Sequence, residues 1–223
     1  MLTRIATGLV LAPLVILALW YLPGTAGRLI IALVGLVALD EFNSITNDGK
    51  RDVVWLVRVL LFAMILALNT YATAFLVPGI FLFAALPLVV SMLLHSSLED
   101  AVRQAALGTL GLVWIGIPAY LMLDMLGQED GNVRVVTLFF IVAMGDTLAY
   151  FGGKFLGKKK LYPAISPKKT VVGGVFGLAG SVAGALIVKF GFGGEPSVVF
   201  FVLMGLVGGA MEQTGDFSQS LLK

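Results

Sequence analysis

The sequence predicts an all-α, polytopic integral membrane protein of about eight transmembrane helices, and three observations carry that prediction. Of 223 residues, 59% are hydrophobic and 13% charged, whereas soluble domains run to about 45–50% and about 25%. The mean hydropathy, +1.00, lies on the same side. Apolar runs of near-spanning length recur along the whole chain, separated by short turn-forming stretches. A globule of this size could not hide so much apolar surface, which excludes an ordinary soluble enzyme and a disordered chain. Zero cysteines exclude a disulfide framework, Cys-ligated zinc and a Cys nucleophile. A single histidine, His95, argues against a His-rich metal site or a Ser-His-Asp triad.

A spanning helix needs roughly 20 mostly apolar residues. The candidate spans are Ile5–Leu22, Arg28–Phe42, Val53–Thr70, Phe75–Leu94, Ala105–Leu126, Val133–Phe151, Val171–Phe190 and Ser197–Met211. The second and last are short on apolar residues alone and are expected to continue as helix into polar flanks. Turn signals separate the spans at Pro23-Gly24, Asn47-Asp48-Gly49, Gly127 to Gly131 and Gly193 to Pro196. The first run follows Arg4 but has no clear small-residue cleavage site, so it reads as an uncleaved span. Residues 1–223 form one transmembrane domain on this reading, with a cytoplasmic lysine-rich loop over 152–172.

The eight spans partition the basic residues unevenly. Arg4, Lys50, Arg51, Arg58, Arg103, Lys154, Lys158, Lys159, Lys160, Lys168, Lys169 and Lys223 fall on one side, and Arg28, Arg134 and Lys189 on the other. The positive-inside rule then places both termini in the cytoplasm of a cell (inner) membrane protein.

Ionisable groups inside apolar runs cost at least about 2.5–3.5 kcal/mol for Asp at a helix centre, and are usually functional or paired. Asp124 sits near the outer end of its span and reads as an interface residue. Asp40 and Glu41 fit a solvated helix end as well as a site. Asp146 differs, because the run Thr137 to Gly145 before it is apolar, and Tyr150 and Gly153 follow on the same helical face. Glu212, Asp216, Ser220 and Lys223 form a second stripe at helical spacing. Between the two lies a segment from Gly152 to Thr170 with six lysines, glycines and prolines, and the hydroxyls of Ser166 and Thr170. Lysine ammoniums neutralise phosphates, and backbone N–H groups at a helix start add to this. For Lys158, Lys159 and Lys160, attraction to anionic lipid is the competing explanation. Glycines at 173, 177 and 184, and at 205 and 209, read as seams for close helix packing.

At these residues the chain resembles the phosphatidate cytidylyltransferase (CDP-diacylglycerol synthase) family. Three blocks carry the resemblance: Asp146 to Lys154, Ile165-Ser166-Pro167-Lys168-Lys169-Thr170 with Gly173, and Gly215-Asp216 with Ser220 to Lys223. The N-terminal half matches only in hydropathy and in the Glu41-Phe42 pair. Val172 and Gln219 stand where the family usually has Glu. The family's C-terminal signature continues past the position of Lys223, which implies a partial sequence or a divergent relative.

The resemblance implies transfer of a cytidylyl group from CTP to phosphatidic acid, giving CDP-diacylglycerol and pyrophosphate. It implies catalytic roles for Asp146, Lys168, Lys169 and Asp216, with Mg²⁺ held by Asp216 and Asp146. Ser166, Thr170, Lys154, Ser220 and Lys223 are then the expected substrate contacts. Phosphatidic acid, CTP and the bilayer are the expected partners, nucleic acid is not, and a homodimer is left open. The alternatives are a CTP-dependent polyprenol or phytol kinase, an archaeal-type lipid cytidylyltransferase, or a membrane transporter. Against the last, the sequence has no internal repeat, and its polar groups gather toward one end.

Overall fold

The computed structural model describes residues 14, 16–18, 20–21, 24–47, 49–71, 76–94, 97–193 and 196–222. Nearly all of them are helical, as the apolar runs demand, because a backbone in lipid must satisfy its own hydrogen bonds. Most of the first predicted span, and His95 and Lys223, lie outside the described residues. The described chain forms two compact units, one over Pro23–Gln128 and one that includes Glu129–Lys223.

The Pro23–Gln128 unit contains α1 (Gly24–Thr46), α2 (Val53–Tyr71), α3 (Leu76–Leu94), α4 (Leu98–Gly111) and α5 (Ile117–Leu126). A π-helical turn at Leu112–Gly116 joins α4 to α5 without breaking the span. Pro118 follows at the start of α5 and has no N–H to give the ladder, a sufficient cause for such a slip. Ile31, Leu39, Phe62, Ala119 and Leu123 form one core cluster, and Leu61, Ile65, Leu112 and Tyr120 another. Gly35 lets the Phe62 ring lie against α1, where a Cβ would collide with it.

The Glu129–Lys223 unit contains α6 (Gly131–Leu156), β1 (Lys160–Tyr162), β2 (Ser166–Thr170), α7 (Val171–Phe192) and α8 (Val198–Leu222). The three helices pack through small residues, as the glycine spacing predicts. A Cβ at Gly205 would come within 2.5 Å of the Val182 Cα. Ser181 is fully buried in this seam and donates its hydroxyl to the Ile141 carbonyl of α6 at 3.1 Å.

Five described stretches are long and apolar enough to cross a membrane: Gly24–Thr46, Leu98–Leu126, Gly131–Leu156, Val171–Phe192 and Val198–Leu221. The second and last predicted spans do extend into polar flanks. The fifth starts at Leu98, seven residues before the predicted Ala105, because Ser97 caps it by accepting the Asp100 N–H at 3.1 Å. Glu99 and Asp100 in its first turn complement the helix dipole. The predicted 152–172 loop is also corrected. Helix α6 runs on to Leu156, and β1 and β2 then pair antiparallel, with Lys160 opposite Thr170 and Tyr162 opposite Ser166.

Candidate active site

Helix α6 supplies one wall of a cavity of about 580 Å³ within the Glu129–Lys223 unit. Asp146, Ala149, Tyr150, Gly153 and Lys154 line it, at the i, i+3, i+4, i+7 and i+8 spacing of a single helical face. Helix α8 supplies the facing wall with Glu212, Gln213, Asp216 and Phe217. The hairpin adds Lys160, Leu161, Lys168, Lys169 and Thr170, and the first turn of α7 adds Gly173 and Gly174.

Two local devices hold this arrangement. The Thr170 side chain is 5% exposed and caps α7 by accepting the Gly173 N–H at 3.0 Å. Gly153, Gly157 and Gly173 all crowd the Thr170 hydroxyl, and a Cβ at Gly157 would overlap it. These glycines let the end of the hairpin sit flush against α6 and α7. Gln213 donates its amide to the Gly174 carbonyl at 2.9 Å and ties α8 to the first turn of α7.

Four lysines and three carboxylates therefore share one cavity. Lys169 Nζ lies 2.5 Å from Asp216 Oδ2 and 4.0 Å from the centroid of the Phe217 ring. The pair is only partly buried, with side-chain exposures of 24% and 46%. Lys154 sits over the Tyr150 ring at 5.5 Å. The Asp146 and Glu212 side chains come within hydrogen-bonding reach of each other. Two ionised carboxylates so placed repel, and a cation in the cavity would relieve them.

Of the predicted site residues, Asp146, Lys154, Lys168, Lys169, Thr170 and Asp216 all line the cavity. Ser166 and Ser220 are not in its lining. Ser220 instead donates to the Asp216 carbonyl of its own helix at 2.8 Å. Thr170 lines the cavity while its oxygen serves as a helix cap. Glu212 belongs to the α8 stripe read in the sequence but had no assigned role. Gln213 and Phe217 were not singled out, and Lys160 was read only together with Lys158 and Lys159, without a site role of its own. Lys160 stands in a run of three lysines, and only the β1–β2 pairing distinguishes it from its neighbours.

A cavity of similar size, about 570 Å³, lies in the Pro23–Gln128 unit. Its lining is apolar apart from Thr109, so it offers no charged group to a polyanion. The chemistry-bearing cavity is the one between α6, α8 and the hairpin.

The model of the cytidylyltransferase family matches residues 2–223. This chain belongs to that family. Among curated relatives, the phosphatidate cytidylyltransferase of Brucella abortus (strain 9-941) is 37% identical over 117 residues, 51% of this chain. That match spans 42% of the Brucella protein's own length. The phosphatidate cytidylyltransferase of Bacillus subtilis (strain 168) is 29% identical over 225 residues, covering 99% of this chain and 83% of the relative. That of Staphylococcus haemolyticus is 25% identical over 217 residues, covering 96% and 82%. Family membership and the helices together make this a multi-pass membrane protein.

Proposed function

We propose that this chain transfers the cytidylyl group of CTP to phosphatidic acid, giving CDP-diacylglycerol and pyrophosphate. A phosphate oxygen of the lipid attacks the α-phosphorus of CTP. A new P–O bond forms there, the bond to the β-phosphate bridging oxygen breaks, and pyrophosphate leaves with that oxygen. Two polyanions must meet for this, and their repulsion is the main obstacle. The observation that carries the reading is the convergence of Lys154, Lys160, Lys168 and Lys169 with Asp146, Glu212 and Asp216 on one cavity. Four ammoniums at that cavity can offset the charge of a triphosphate and a phosphomonoester. Positioning and charge stabilisation suffice for such chemistry, with no covalent nucleophile. The site also lies among membrane-spanning helices, as a lipid substrate requires.

A divalent cation, most simply Mg²⁺, belongs to the same proposal. The donor set fits a hard cation, because Asp146, Glu212 and Asp216 all present carboxylate oxygens to the cavity. Among the described residues no group of three or more His, Cys, Asp or Glu closes around an ion. Magnesium is commonly held by only one or two carboxylates, substrate phosphates filling the remainder. When bound, such an ion would supply charge neutralisation at the phosphates. The chain's own share is to aim Asp146 and Asp216 into the cavity and to keep Lys169 beside Asp216 until a phosphate competes for it. Both termini lie in the cytoplasm on this reading, where CTP is.

CTP labelled in turn at the α- and γ-phosphorus tests the reaction class, with the chain in detergent micelles containing phosphatidic acid. The α-label is expected in the lipid product and the γ-label in pyrophosphate. A γ-label in lipid would mean a kinase, and no label in lipid would leave transport. Single cysteines at Lys50 and Lys159 test the orientation: both should react only with reagent on the cytoplasmic side.

A further inference from the structure

The segment from the end of α6 through the hairpin carries two kinds of lysine. Lys160, Lys168 and Lys169 line the cavity, whereas Lys158 and Lys159 do not. Both of the latter are exposed, and neither ammonium has an acidic or hydrogen-bonding partner among the described residues; only the Lys159 carbonyl is engaged, accepting the Val171 N–H at 3.0 Å. Immediately before them, at the end of membrane-spanning α6, stand Phe151 and Phe155. Their rings stack at 6.1 Å and 4°, yet they are 47% and 71% exposed. Leu156 and Tyr162 beside them are 58% and 53% exposed.

We infer that Lys158 and Lys159, with the Phe151–Phe155 stack, form a docking surface for the anionic headgroups of the surrounding bilayer, separate from the cavity. Aromatic rings at the end of a spanning helix settle at the membrane–water boundary. The chain can rise at most about 14 Å over the four residues from Phe155 to Lys159. The headgroup layer on each side is about 5–8 Å thick, and lysine stems fold back toward it. The ammoniums therefore stay within headgroup reach, and their charge is complementary to acidic lipids. A soluble anion would explain the lysines but not the exposed rings. This surface does not depend on the cytidylyl-transfer reading, since its ligand need not be a substrate.

The test needs neither nucleotide nor phosphatidic acid. The chain contains no cysteine, so Ala164→Cys at the exposed hairpin turn gives one attachment point for a fluorophore. The full chain is reconstituted in phosphatidylcholine vesicles with a trace of spin-labelled phosphatidylglycerol, or the same amount of spin-labelled phosphatidylcholine. Quenching should favour phosphatidylglycerol severalfold, since each lysine near the surface contributes about fivefold to local enrichment. The preference should fall toward parity in Lys158→Gln/Lys159→Gln, and survive in Lys158→Arg/Lys159→Arg and in Lys168→Gln. It should also fade in about 1 M salt, where the screening length is about 3 Å. Soluble glycerol phosphate should not compete, which separates a lipid surface from a free phosphate site. Equal quenching by the two lipids, or a preference undiminished by the double Gln substitution, would overturn the inference. Should that variant not fold, a preference insensitive to salt in the parent protein would overturn it equally.

Discussion

Arg58 and Lys169 are both cations held among apolar helices, but the two units treat them in opposite ways. Arg58, on α2, is 2% exposed. Its Nη1 donates to Asn43 Oδ1 at 3.0 Å and to Thr46 Oγ1 at 3.2 Å, and its Nη2 to Gln104 Oε1 at 3.1 Å. Asn43 in turn donates to the Lys50 carbonyl at 2.8 Å. Nearby, Arg51 and Trp55 both bond the Asp40 carboxylate, closing the α1–α2 connection. Both terminal nitrogens of Arg58 are thus bonded while its Nε is buried without a partner among the described residues, and the void beside it, about 10 Å³, has no room for a ligand. Lys169 instead faces a cavity, with one carboxylate partner and three other ammoniums around the same space. A charge packed against apolar helices is thus structural when its neighbours bond and enclose it, and available for chemistry when they leave it facing open volume.

Breaking each cluster in turn should separate the two roles. Lys169→Gln should produce the largest effect, a loss of about 10²–10³ in cytidylyl transfer. A neutral amide cannot offset triphosphate charge, and the helical signal and thermal midpoint should change little. Arg58→Met should do the reverse. Each buried acceptor it abandons costs about 1–3 kcal/mol, so a total near 3 kcal/mol should appear as a lower midpoint in detergent. Turnover per folded molecule should stay close to the parent value. Thr170→Ala should lie between the two in kind and below both in size. It removes the α7 cap, at about 1 kcal/mol, and loosens the strand that carries Lys168 and Lys169. A modest rise in KM for CTP with a small drop in midpoint is the expected pair of readings.

The same contrast explains which features could be read from the sequence. Helices were legible because lipid imposes a simple rule on them, and Ala105–Leu126 missed only the polar turn that Ser97 caps. The hairpin was not legible, since Lys-Leu-Tyr and Ser-Pro-Lys-Lys-Thr lack the alternating apolar pattern of a half-buried strand. Asp146 stood out against its apolar run, and the structure puts it in the cavity. Asp40 also stood out, and Arg58 entered only in the charge partition, yet the structure ties Asp40 to Arg51 and Trp55, and Arg58 to Asn43, Thr46 and Gln104. That difference depends on partners 11 to 46 residues away, and hydropathy holds no record of them. Gln213 was missed for a related reason: its task is a single bond to the Gly174 carbonyl, which needs the packed helices to exist.

The central claim is that the open cluster does the chemistry, with Asp216 as a working carboxylate and not merely the counter-ion of Lys169. The most direct test is the rate of CDP-lipid formation by Asp216→Asn at saturating CTP and phosphatidic acid in micelles. Asn keeps the shape and removes the charge, so binding of lipid should persist while turnover falls by about 10²–10³. Raising CTP should not restore it, and raising Mg²⁺ should restore it only in part. Turnover near the parent value would contradict the claim and leave Asp216 as the polar end of α8.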